Sequence, residues 1–225
     1  MLSRRQFTRV VSAGLAGAVS PSLPAIAAAL ATAARPSDLR FAVMRGRSKI
    51  GVHTVEFRDR PDGLAVHTVI DLAVKVVFIT VFRYQHECQD VWVSGQLLSL
   101  RSRTVEDGKR YAVEATAEPG GIRVVGPGGP LVVGSRLLTS NSLWNSLLVD
   151  QQRLIDAQYG REIGLVVHRR GTEALGLAGT ERVVTDRFQI LTPHYGGLLW
   201  YDATGRWVKG SFEIRGEWID YVFDV

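Results

Sequence analysis

Hydrophobic and polar positions alternate along most of this chain with a period of two. From Leu64 the even positions run Leu64, Val66, Thr68, Ile70, Leu72, Val74 and Val76, with His67, Asp71 and Lys75 between them. Tyr111, Val113, Ala115 and Ala117 alternate with Arg110, Glu114 and Thr116. Near the C-terminus, Val208, Gly210, Phe212 and Ile214 alternate with Lys209, Ser211, Glu213 and Arg215. Ile219, Tyr221, Phe223 and Val225 alternate with Trp218, Asp220 and Asp224. Successive side chains of a strand point to opposite faces, so each run predicts a strand with one core face and one wet face.

Turn-forming groups separate these runs. They include Pro61-Asp62-Gly63, Glu106-Asp107-Gly108, Pro119-Gly120-Gly121, the Gly126–Pro130 segment and Arg215-Gly216. Glycine supplies positive φ, and aspartate and proline start turns. Many short strands joined this way predict an all-β protein, a curled antiparallel sheet or an open β-barrel. Strand–helix–strand alternation is missing, which argues against a parallel sheet.

Two segments break the pattern. Val76, Val77, Phe78, Ile79, Val81 and Phe82 are nearly continuous in hydrophobicity, which predicts a central core strand or a strand whose second face lines a greasy cavity. One short helix is predicted after Ser140 or Asn141, either of which can cap it, with Leu143, Trp144, Leu147 and Leu148 on one side. A hairpin through Gln158-Tyr159-Gly160 is expected next, leading into a strand over 162–169.

The first residues change how charge is read. Ser3-Arg4-Arg5-Gln6-Phe7-Thr8-Arg9 resembles the twin-arginine motif of bacterial export signals, with Thr8 and Arg9 where leucine and lysine are usual. A mild apolar stretch runs from Val10 to Val19, and Pro21 and Pro24 end any helix there. Ala25-Ile26-Ala27 offers a small-x-small cleavage pattern, with alternatives to Ala34. The stretch is about half the ~20 residues that a spanning helix needs. Residues 1–34 are therefore read as a signal peptide addressed to the twin-arginine export machinery, and 35–225 as a single antiparallel β domain of the periplasm. Three arginines, Arg4, Arg5 and Arg9, leave with the signal, so the overall charge of +5 falls to about +2. That removes the case for nucleic-acid binding.

The domain resembles a group of uncharacterised exported bacterial proteins, known only as a domain of unknown function. The likeness rests on several pieces in order: Phe41 to Gly51, Phe82-Arg83-Tyr84, Glu87 with Trp92, and Gly95-Gln96-Leu97. Thr104, Gly108, Trp144-Asn145, Leu154-Ile155-Asp156 and Gly160 follow, then Leu199-Trp200-Tyr201-Asp202 with Gly205 and Trp207. The resemblance implies a curled antiparallel sheet similar in outline to periplasmic lipoprotein carriers, and it carries no catalytic residue. Asp202 and Gly205 fit a tight hairpin in which Tyr201 and Trp207 pair across strands.

Candidate chemistry is sparse. The histidines are His53, His67, His86, His168 and His194, and none has the close spacing of a zinc site. Cys88, the single cysteine, shares a strand face with His86. The Gly126–Pro130 loop lacks the lysine and the N–H donors of a phosphate loop, and no nucleophile elbow occurs. Glu87, Asp90, Asp156 and Asp202 are isolated acids that convergence would have to turn into an acid pair. No cofactor or metal is expected. The aromatic residues suggest a ligand pocket instead, and Phe78, Phe82, Tyr84, Trp144, Trp200 and Tyr201 are its candidate lining. Three functions follow as expectations. The first is non-enzymatic carriage of a lipid-like ligand or lipidated partner. The second is an envelope-assembly factor with a filled core, and the third an enzyme using His86, Glu87 or Cys88 with His194.

Overall fold

A computed structural model describes residues 35–76, 79–177 and 182–224. The expectations resting on Arg4, Arg5, the cleavage region and Phe78 lie outside these residues.

The first eight strands are β1 (Leu39–Arg45), β2 (Ser48–Arg60), β3 (Gly63–Val76), β4 (Ile79–Val93), β5 (Gln96–Glu106), β6 (Lys109–Glu118), β7 (Gly121–Gly126) and β8 (Gly129–Val133). Three short ones follow: β9 (Leu138–Thr139), β10 (Arg153–Ile155) and β11 (Glu162–Gly164). The last five are β12 (Val166–Gly176), β13 (Arg182–Leu191), β14 (Gly196–Asp202), β15 (Trp207–Ile214) and β16 (Glu217–Phe223). Thirteen of them form one antiparallel sheet, ordered from β12 through β16, then β1 through β8. It is two meanders of consecutive strands, joined where β1 meets β16 with Phe41 opposite Phe223. The sheet does not close: β8 and β12 are its edges, and they are not paired with each other among the described residues.

Local chemistry accounts for the hairpins. Ser94-Gly95, Asp107-Gly108 and Arg215-Gly216 all hold both central residues at positive φ. That is the two-residue turn whose twist matches that of paired strands. On β3 the predicted alternation holds, with Val66, Thr68 and Leu72 buried. At the β14–β15 hairpin, Asp202 Oδ1 accepts from the backbone N–H of Thr204 (2.8 Å) and Arg206 (3.0 Å), and Gly205 takes φ +80°. A register shift there sets Tyr201 opposite Trp207, as the motif suggested.

The apolar run from Val76 does not form one core strand. β3 ends at Val76 and β4 begins at Ile79, and these two residues are paired. Ile79 and Val81 are 71% and 55% exposed. The described residues of the run are the ends of two paired strands, and Val81 and Phe82 border a cavity rather than forming a core element.

The connector from β8 to β12 fills part of the concave side. Its predicted helix is instead two 3₁₀ turns, Ser142–Trp144 and Ser146–Asp150. Asn145, extended between them, breaks the helix and accepts from the Leu147 N–H at 3.0 Å. Asn141 makes no capping bond; its side chain reaches β4. The predicted hairpin after β10 is present, with Asp156 Oδ1 accepting from the N–H of Gln158 (2.9 Å) and Tyr159 (3.0 Å). Both arms of the sheet bond to this connector. Tyr84 of β4 donates to Gln158 Oε1 (3.1 Å), Ser102 of β5 donates to the Ala157 carbonyl, and Tyr201 of β14 donates to the Leu143 carbonyl (2.8 Å). Against β2 and β4, Trp144 packs edge-on to Phe57 (5.2 Å) and Trp92 (5.8 Å). Such aromatic pairs add about 0.5–1.5 kcal/mol each beyond area burial.

Candidate ligand cavity

Between the sheet and the connector, which contributes Asn141, Leu143, Asp156 and Ile163 to the wall, the inner face is hollow. One cross-strand row shows how this part is built. Phe223, Phe41, His53, Ile70, His86, Thr104 and Tyr111 lie opposite one another across β16, β1, β2, β3, β4, β5 and β6. Residues of one row share a face of the sheet. His53, Ile70 and His86 border a cavity of about 580 Å³. That lies within the ~300–1,000 Å³ typical of small-molecule sites.

Ile50, Ile70, Leu72, Val74, Ile214 and Ile219 form an aliphatic part of the cavity wall. Two glycines keep it open. A Cβ on Gly197 would lie 2.5 Å from the Phe212 ring, and one on Gly210 2.9 Å from it. Phe212 therefore lies down on bare backbone instead of standing into the space. At the mouth, Arg215 bonds Glu106 (2.7 Å) and sits over the Phe82 ring (4.9 Å). Arg45 bonds Glu217 (2.7 Å) nearby.

Two histidines mark the inner end and differ in partnership. The Asn141 amide nitrogen lies 2.7 Å from His86 Nε2. An amide nitrogen only donates, so Nε2 accepts, and Nδ1–H is left to donate to Thr104 Oγ1 at 2.7 Å. Burial depresses His86 to about 4, so it is neutral at ordinary pH. His53 is 1% exposed, ringed by Phe41, Trp207 and Tyr221, and neither ring nitrogen has a partner among the described residues. Burial, with His86 nearby, depresses it to about 3. Tyr84, Tyr195 and Tyr221 also line the cavity, and burial raises all three phenols. The carboxylate of Asp156 adds to the rise of Tyr84 and Tyr195.

The expected lining residues separate. Phe82 and Tyr84 border the cavity. Trp144 and Tyr201 are held in the packed part, one against Phe57 and Trp92, the other on the Leu143 carbonyl. Trp200 faces the other side of the sheet, where Nε1 donates to Glu173 (2.9 Å) and Lys209 sits over its ring (4.4 Å). Trp200 and Tyr201 are consecutive in a strand and so cannot share a face. His53, Tyr195 and Tyr221 were missed, although Tyr221 stood in an alternating run. The enzyme set is also split. His86 and Cys88 point inward, but Glu87 points outward to His67 (3.0 Å). The Cys88 thiol donates to Asp90 (3.0 Å), and burial raises it well above its ordinary range. His194 is exposed beside Arg161 at the cavity's edge. Asp156 is bonded within its own turn and Asp202 within another. Among the described residues, no three His, Cys, Asp or Glu side chains gather as a metal site.

Residues 41–224 match the family described as "Domain of unknown function (DUF6134)". The chain belongs to that family. No curated protein matches it. Among solved structures it is similar to the beta-barrel-like protein of domain of unknown function DUF1849 from Brucella abortus. That likeness has 13% identity and a TM-score of 0.62, and covers 83% of this chain and 94% of the other. At that identity the two share a fold, a barrel-like curl of antiparallel strands. For the family member described here, the expected all-β curled sheet holds, with 3₁₀ turns in place of the helix.

Proposed function

We propose that this protein is an exported, non-enzymatic carrier that holds a lipid-like molecule in the cavity between its two meanders. The observation that carries this reading is a cavity of about 580 Å³ with aliphatic and aromatic side chains in its wall and the unpartnered imidazole of His53 at its border. A surface-acting assembly factor has no use for such a space, and interiors are otherwise packed to crystal-like density. Export to the periplasm is supported by the twin-arginine resemblance around Arg4 and Arg5.

Native mass spectrometry of protein purified gently from periplasm, with organic extraction, tests the carrier reading. A reproducible extra mass that extracts as a lipid is expected. A bare polypeptide in repeated preparations, with no uptake of added lipid, would overturn it. Replacing Arg4 and Arg5 by lysine should leave the protein in the cytoplasm; unimpaired export of that double variant would overturn the address.

A further inference from the structure

We propose, resting on the carrier reading, that the cavity selects an uncharged amphiphile whose oxygen-bearing end is buried against His53 and Tyr221, with its apolar tail toward the mouth. The first support is the unpartnered imidazole. His53 lies at the cavity's inner end, 1% exposed, with neither ring nitrogen bonded among the described residues. A neutral imidazole offers one donor and one acceptor. Leaving both unmet in a buried place costs free energy that a ligand hydroxyl, ester or ketone recovers. The Tyr221 ring lies 5.6 Å from that of His53, which puts a phenol beside the same space.

The second support is the treatment of charge. Every cation around the cavity is already engaged: Arg161 with Asp156 (3.7 Å), Arg45 with Glu217 (2.7 Å) and Arg215 with Glu106 (2.7 Å). Asp156 itself borders the cavity, with a side chain only 8% exposed. A carboxylate or phosphate headgroup would meet this acid in the lining and no free cation among the described residues, and would forfeit its hydration. An uncharged oxygen group meets donors and an acceptor of matching chemistry. The aliphatic walls run outward to Val74, Val81 and Ile214 at the mouth, which fixes the tail's direction.

The test uses four probes of one chain length, 1-hexadecanol, methyl palmitate, palmitate at pH 8 and hexadecane, titrated into delipidated full-length mature protein. The alcohol and the ester should bind at least tenfold more tightly than palmitate or hexadecane. His53→Phe and Tyr221→Phe should each weaken the alcohol or ester by about tenfold, the scale of one lost buried hydrogen bond, and leave hexadecane unchanged. Circular dichroism confirms that both variants are folded, and Tyr221→Phe removes a single oxygen should His53→Phe fail to fold. Palmitate binding as tightly as the ester, or variants with unaltered preference, would overturn the selectivity and leave the carrier reading standing. Failure of all four probes to bind would overturn both.

Discussion

Two halves of one concave surface are finished in opposite ways. In the first, Trp144 of the connector packs against Phe57 and Trp92, and Leu148 and Leu154 of the connector are buried in the same cluster. In the second, the same strands β2, β3 and β4 carry His53, Ile70, Tyr84 and His86 over space. Strand type, register and inward alternation are alike in both. The difference is the path of residues 138–164, which pack Trp144 onto Phe57 and Trp92 in one half and only wall the space in the other. In this fold a void is made by how closely a connector lies on the strands and not by a special kind of strand.

Core truncation should separate the two halves most sharply. Phe57→Ala is expected to cost about 3–5 kcal/mol, the range for a large aromatic removed from a packed site. Phe82→Ala at the mouth should cost under about 1 kcal/mol, since its ring is already half-exposed. Urea denaturation of both decides the matter; equal losses would mean the hollow half is as tightly packed as the full one.

Acid titration should show the halves pulling against each other. His53 and His86 are depressed to about 3 and about 4, below their usual 6.5, so the unfolded chain binds their protons first. Each therefore removes stability as pH falls below 6.5. Asp90, beside Cys88 and near Trp92, is raised by burial from 3.8 to about 7. The native state holds that proton longer, so Asp90 removes stability as pH rises from about 4 to about 7. Two histidines against one acid leave stability rising with pH between about 4 and 6.5, at about the slope of one proton, then falling toward pH 7. Asp90→Asn should about double the slope and abolish the fall. Denaturation curves from pH 4 to 8 check this, and an unchanged slope would remove Asp90 from the account.

Two glycines offer a smaller contrast. Gly205 and Gly216 have φ of +80° and +79°, so alanine at either meets the same left-handed penalty of about 1–2 kcal/mol. Only at Gly205 would the new Cβ also strike the connector, 2.7 Å from Ser146 Oγ. Gly205→Ala should lower the melting temperature more than Gly216→Ala. Smallest in stability is Ile70→Phe, which adds volume where space exists. It should shift stability by under about 1 kcal/mol while abolishing lipid co-purification.

The hairpins were legible because their signals are local: Asp107-Gly108 and Arg215-Gly216 set a glycine, which tolerates positive φ, between two alternating runs, and Val66 to Leu72 alternate whatever lies opposite. The hollow was not legible. His53 and Phe57 are inward positions of one strand, and only a connector without periodicity decides which of them is packed over. The aromatic lining was half read for a related reason, since counting aromatics set Trp200 beside Tyr201 although a strand turns neighbours apart. The run misled because strand ends beside a cavity, such as Val81 and Phe82, have the composition of a core strand.

The single pairing between the two meanders, β1 with β16, also has a consequence in time. Every other neighbour in the large sheet is adjacent along the chain and can zip as it is synthesised. The free edge of β1 waits for β16 (Glu217–Phe223), the described strand furthest from it along the chain. Until then a bare edge with Phe41 and Val43 is open to wrong partners. Commitment to the native topology is thereby deferred until β16 has been made, and deleting that strand would leave the β1 edge without its partner.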